Sequence, residues 1–213
     1  MSKLSVYNQT PLQERLNAIS HFIGVFFGMI GLASLIIFDG NKTNWSLLSV
    51  IIYGISIVTM FTASTLYHSE NHEVKKHYLR IVDHISIYFL IAGTYTPVLL
   101  ITLHESLGWT LFYVVWGIAI FGVILKLFFT GKFEIFSTLL YLVMGWLIVL
   151  DFTNLSKLMH SNGVLLLFAG GMAYTVGIIF YAINKIPYNH VIWHLFVLAG
   201  AVFHFFMIFF YVI

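Results

Sequence analysis

The sequence predicts an all-α integral membrane protein, a bundle of seven transmembrane helices with a cytoplasmic N-terminus and a C-terminus outside. Of its 213 residues, 60% are hydrophobic and only 8% are charged, whereas a soluble domain carries about 25% charged residues. The mean hydropathy is +0.95, and a soluble globular protein is therefore excluded. The 21 Phe, 12 Tyr and 5 Trp exclude intrinsic disorder, because disordered chains are poor in aromatic residues.

Seven apolar runs are long enough to cross a bilayer, whose core of about 30 Å needs about 20 helical residues. Transmembrane β-strands would instead give alternating segments of about ten residues. Residues 1–18 are predicted to form an amphipathic segment on the membrane surface, and residues 19–213 a single transmembrane domain. The predicted spans are Ile19–Phe38, Ser46–Tyr67, Ile85–Leu103, Trp109–Phe129, Ile135–Leu150, Val164–Ile183 and Val191–Ile213.

Three of these spans carry features that modify a regular apolar helix. Span three contains Gly-Thr-Tyr-Thr-Pro, and its Pro97 is expected to kink the helix. Span four contains Lys126, which is expected to extend its ammonium group toward the membrane interface. Span six contains Gly170 and Gly171, which favour close helix packing. Span five is the shortest of the seven.

Basic residues between the spans predict the orientation, because cytoplasmic loops are enriched in Lys and Arg. Only Lys42 and Lys157 lie on one side, and this side is predicted to face outward from the cell membrane. The other side carries Lys3, Arg15, Lys75, Lys76, Arg80, Lys126, Lys132 and Lys185.

Composition also limits the chemistry of the chain. It contains no cysteine and therefore offers no disulfide, thiolate nucleophile or cysteine ligand for a metal. Its net charge of +2 is too small to indicate a nucleic-acid partner. Membrane lipids are the expected partners.

Polar side chains converge at the cytoplasmic ends of four spans. Polar and ionisable groups are costly in a membrane and usually face the interior of a helix bundle. The predicted topology places a set of such groups at one membrane level, although they come from separate parts of the chain. They are His21, Ser64, His68, Asp83, His84, His190 and His194.

His190 and His194 have the i, i+4 spacing that places two imidazoles on one helix face. Such a pair can chelate one metal ion, and a third histidine from another helix would leave one coordination position open for water. His68 is the predicted third ligand, because it ends span two at the same level. The alternative is that all three are interfacial histidines that hydrogen-bond to loops or lipid headgroups.

Asp83 and Ser64 are the predicted catalytic residues. Asp83 is interpreted as a general base, or as a carboxylate that holds the metal-bound water; alternatively it caps span three or pairs with Arg80. Ser64 is interpreted as a hydroxyl that holds water or an oxyanion, or as a small residue for close packing. His204 lies ten residues beyond His194, about 15 Å deeper, and is expected to make an interhelical hydrogen bond.

Four motifs follow one another along the chain: Glu14-x-x-Asn17-x-x-Ser20-His21-x-x-Gly24, Ser64-x-x-x-His68, Asp83 with Gly93-Thr94-Tyr95-Thr96-Pro97, and His190-x-x-x-His194 with His204. Their order and spacing together resemble the bacterial hemolysin III branch of the progestin and adipoQ receptor family. The resemblance implies seven helices, a cytoplasmic N-terminus, and Zn²⁺ held by His68, His190 and His194. Asp83 and Ser64 correspond to the family's aspartate in span three and serine in span two.

The resemblance leaves three functions open. Similarity to the wider superfamily that contains alkaline ceramidases implies a zinc-dependent membrane hydrolase of lipid amides or esters. The family name implies a cytolytic or channel-type protein, although seven apolar spans provide no charged ring or filter for an aqueous pore. In the third function the chain is a membrane sensor or receptor whose zinc is structural.

Single cysteines introduced into this cysteine-free chain test the predicted orientation. Lys75→Cys and Lys185→Cys should resist a membrane-impermeant thiol reagent applied to intact cells, and Ile213→Cys should react with it. Reaction at the Lys75 loop from outside would contradict the orientation.

Overall fold

In the computed structural model, which describes residues 9–213, the chain forms seven long apolar helices. The described residues contain no β-strand, and the predicted all-α class with seven spans is therefore confirmed. The first eight residues of the predicted surface segment lie outside the described residues. The spans are Pro11–Ile37, Ser46–Ser69, Glu73–Thr102, Gly108–Phe129, Glu134–Leu158, Ser161–Ala182 and Asn189–Tyr211.

Span one begins at Pro11 rather than at the predicted Ile19. The side chain of Thr10 accepts a hydrogen bond from the backbone of Gln13, and the side chain of Gln13 accepts one from the backbone of Thr10. This capping box, together with proline at the first helical position, fixes the helix start in a polar stretch that an apolar window does not detect. As a consequence Glu14 lies in the first turn of span one.

Span three also begins earlier than predicted, at Glu73 instead of Ile85. Asp83 therefore lies well inside the helix, and the alternative that it caps span three is wrong. At the other end the helix continues through Pro97 into a π-helical turn, Val98–Thr102. Proline cannot donate a backbone hydrogen bond, and the regular α-helical hydrogen bonding gives way to this wider turn directly after Pro97.

Span five is interrupted. An α-helix from Glu134 to Trp146 is followed by a 3₁₀ segment and a second short α-helix. The hydroxyl of Tyr95 donates to the carbonyl of Gly145 at 2.8 Å and accepts from the amide of Ile148 at 3.0 Å. Lipid cannot satisfy backbone groups at such a break, and Tyr95 of span three does so instead.

The seven helices enclose a central cavity. The closest packing is between spans one and two, between spans two and three, and between spans six and seven. Span one also packs against span seven, whereas span five has few contacts with its neighbours. Between them lies a cavity of about 120 Å³ with a largely apolar wall, to which every span contributes residues. The ends of spans one, two, three and seven that carry the predicted site residues meet at one end of this cavity, called here the histidine end.

Candidate metal centre

Span seven contributes two of the three predicted ligands in its first turns. Its helix begins at Asn189, directly after Tyr188, whose left-handed backbone (φ 57°) turns the preceding loop into the helix. His190 and His194 are consequently one turn apart on one helix face, with ring centroids 4.7 Å apart.

The last turn of span two places His68 against this pair. Its ring centroid lies 5.2 Å from that of His190 and 4.7 Å from that of His194. One nitrogen from each of the three imidazoles lies within 4.8 Å of the other two. The structure thus brings together the three residues that the sequence selects, and this His68–His190–His194 group could hold a metal ion.

Glu14 of span one orients His68. Its Oε2 accepts a hydrogen bond from His68 Nδ1 at 2.6 Å, and its Oε1 pairs with Lys76 Nζ at 2.9 Å. With Nδ1 protonated, His68 Nε2 is the lone-pair nitrogen, and it is buried without a hydrogen-bond partner among the described residues. A carboxylate behind a histidine in this way is the usual outer support of a metal-binding imidazole. The observed donor set therefore fits a transition-metal ion, for which imidazole is a suitable ligand.

A fourth histidine, His21, packs on the ligand group. Its ring stacks on that of His194 with centroids 3.7 Å apart, and it meets Phe61 edge-on at 5.0 Å. His21 is 3% exposed. It lies at the predicted level but outside the three-histidine group, and its ring restricts the orientation of His194.

Ser64 and Asp83 meet at the same end of the cavity. Ser64 is one turn before His68 and is 1% exposed, and its side chain lies close to the Asp83 carboxylate. Both residues line the cavity together with His190 and His194. Among the described residues, the group of ligand atoms within 4.8 Å of one another contains the three histidines and not Asp83. The aspartate is thus placed beside the group rather than within it.

Lys126 differs from its predicted interfacial position. It is 2% exposed, and its ammonium group donates to Glu134 Oε2 at 2.7 Å. Arg80, the alternative partner considered for Asp83, instead pairs with Glu134 Oε1 at 3.3 Å. A buried charge is tolerated when it is paired in this way, and this pairing joins spans three, four and five beside the cavity.

The sequence alone did not identify two of these interactions. Glu14 and His68 are separated by 54 positions, as are Arg80 and Glu134, and no local spacing connects either pair. The only earlier indication for Glu14 was its place in the motif of span one.

The interhelical bond expected of His204 is present, since its Nε2 lies 3.2 Å from the carbonyl oxygen of Leu167 in span six.

Comparison with known proteins agrees with the resemblance. The profile of the family described as Haemolysin-III related matches residues 9–205. The chain is 46% identical over 203 residues to the Hemolysin-3 homolog of Bacillus subtilis (strain 168), covering 95% of each chain. It is 44% identical over 212 residues to Hemolysin-3 of Bacillus cereus, covering 99% of this chain and 97% of the relative. It is also 28% identical over 210 residues to the Monocyte to macrophage differentiation factor of Homo sapiens, covering 95% and 85% respectively.

Metal analysis of purified protein tests the candidate centre. About one metal ion per chain is expected, and the double variant His190→Ala/His194→Ala should lose it and melt at a lower temperature, because a ligand bound to the native state stabilises that state.

Glu14→Gln keeps all three ligands but loses the carboxylate, and its metal affinity should fall by roughly 10- to 100-fold in a chelator competition.

His72→Ala and His104→Ala are the matched controls, since both histidines lie outside the ligand group. Neither variant should change metal content or melting temperature. Undiminished metal in the His190→Ala/His194→Ala variant would refute the centre, and undiminished affinity in Glu14→Gln would refute only the role of Glu14.

Proposed function

The chain belongs to the Haemolysin-III related family, and we propose that it is a zinc-dependent membrane hydrolase that acts on lipid amides or esters. One observation carries the proposal: His190 and His194 of the His68–His190–His194 group line a cavity together with a carboxylate, Asp83, that is not part of the group. Three imidazoles with a separate carboxylate are typical of a catalytic zinc site, because a structural site uses all four positions for protein ligands.

Zinc suits the donor set, which consists of three imidazole nitrogens without sulfur. When bound there, zinc would supply Lewis acidity and the means to make water acidic near neutral pH. The chain's own residues would supply everything else in the reaction. His68 would be held in its ligand orientation by Glu14, and His194 by the ring of His21.

Asp83 is the proposed general base. Its carboxylate lines the cavity beside His190 and His194, where it can accept a proton from an attacking water. Ser64 lines the same cavity and lies close to this carboxylate. From there its hydroxyl would orient Asp83 or hold the oxyanion, as expected from the sequence.

The cavity suits a lipid better than a water-soluble substrate. It combines a polar histidine end with a largely apolar wall contributed by residues such as Ile87, Leu90 and Ile178. A carbonyl group placed at the histidine end would leave the acyl chain along the apolar wall. Water would be limited to the polar end, where the proposed hydrolysis would use it.

Cytolysis is a second candidate, favoured by the names of two bacterial relatives, Hemolysin-3 homolog and Hemolysin-3. A lytic protein would make vesicles leak without chemical change of their lipids.

A third candidate is a sensor in which Asp83 moves to become the fourth zinc ligand and no position remains for water.

Asp83→Asn separates the hydrolase from these alternatives. The amide cannot take a proton from water, and turnover of lipid amides or esters should fall by roughly 10²- to 10⁴-fold while one zinc per chain is retained. The measurement is product release from a broad panel of lipid amides and esters, with zinc content determined on the same samples.

Glu105→Gln serves as the control, because its side chain is 88% exposed; it should retain both zinc and turnover. Loss of zinc in Asp83→Asn would favour the sensor. Wild-type protein that carries full zinc, leaves every lipid of the panel intact and releases dye from vesicles would favour cytolysis.

A further inference from the structure

Two polar atoms far from the histidine end lie buried against the same cavity. His204 of span seven is 8% exposed, and its Nδ1 has no hydrogen-bond partner among the described residues; the same holds for the hydroxyl of Tyr174 in span six. Both side chains line the cavity, and their ring centroids are 5.6 Å apart. Unpaired buried polar atoms are costly, and two that share a cavity indicate a missing partner there.

The tautomer of His204 is fixed by its other contact. Nε2 lies 3.2 Å from the carbonyl oxygen of Leu167, and this oxygen can only accept, so Nε2 carries the proton. In the neutral imidazole, Nδ1 is then an acceptor. The hydroxyl of Tyr174 can both donate and accept. The group that complements this pair must donate to Nδ1 and can accept from the tyrosine, and a hydroxyl group can do both.

Two glycines hold the pair in place. A Cβ atom at Gly170 would collide with the ring of His204, being 3.0 Å from its Cε1 atom and closer still to other ring atoms. A Cβ atom at Gly200 would lie 2.8 Å from the ring of Tyr174. Each ring is therefore pressed against the backbone of the opposite helix. Such confinement orders the two polar atoms before any ligand arrives, which is what a specific site needs.

We infer that His204 and Tyr174 form a second polar site that binds a hydroxyl group carried on the chain of a lipid in the cavity. His204 lies ten residues beyond His194, about 15 Å along the helix, so the hydroxyl would lie well inside the acyl chain when the lipid head is at the histidine end. The inference rests on the proposed function only in assuming that a lipid occupies the cavity. The other source of a hydroxyl is a buried water molecule, which also binds where two or more polar groups meet.

Binding of stearic acid and of its mid-chain monohydroxy isomers to the purified protein distinguishes these sources. Displacement of a fluorescent fatty acid gives the affinity of each isomer, in zinc-loaded and in zinc-depleted protein. One range of hydroxyl positions should bind about tenfold more tightly than stearic acid, as expected for two added hydrogen bonds. The preference should persist without zinc, so that a failure of hydrolysis leaves this measurement valid.

Tyr174→Phe removes one of the two hydrogen bonds with little change in shape and should reduce the preference to about threefold, while leaving the affinity for stearic acid unchanged. Tyr113→Phe makes the same substitution on a residue that is 67% exposed and should keep the preference. Equal affinity for all isomers in the wild-type protein would overturn the inference and assign the pair to bound water. A preference that is undiminished in Tyr174→Phe would overturn it as well.

Discussion

A polar group inside a membrane bundle must find its partner within the protein, because the surrounding hydrocarbon chains have no hydrogen-bonding groups. This constraint organises the interior of the chain. Glu14 satisfies His68, Glu134 satisfies Lys126, and Tyr95 satisfies the broken backbone of span five. Two buried nitrogens that have no hydrogen-bond partner among the described residues mark the two candidate sites. His68 Nε2 belongs to the ligand group, and His204 Nδ1 belongs to a residue that lines the cavity further along span seven.

The same constraint links the fold to the proposed chemistry. Glu14 contacts His68 of span two and Lys76 of span three, so three spans are joined directly behind one imidazole of the ligand group. The ring of His21, also from span one, lies on His194 of span seven. The candidate centre is therefore held by contacts among four helices. Its geometry should depend on the packing of the bundle as much as on the ligands themselves.

Much of the fold and part of the site could be predicted from the sequence. Apolar runs identify the seven spans, and the alternation of spans across the membrane places His68 level with His190 and His194. The helix start at Glu73 could not be predicted from apolar runs, because span three begins in a polar stretch that carries Lys75 and Lys76. The partners of His68 and Lys126 could not be predicted either, since tertiary packing alone brings Glu14 and Glu134 to them. The pairing of His204 with Tyr174 on one cavity wall needed the structure for the same reason.

X-ray absorption spectroscopy at the zinc edge of purified, zinc-loaded protein tests the central claim most directly, because it reports the atoms around the ion. The account predicts three imidazole nitrogens at about 2.0 Å, with the multiple scattering of histidine rings and one further light atom in the remaining position. A coordination shell with fewer than three imidazoles, or one dominated by carboxylate oxygens, would contradict a metal centre built from His68, His190 and His194.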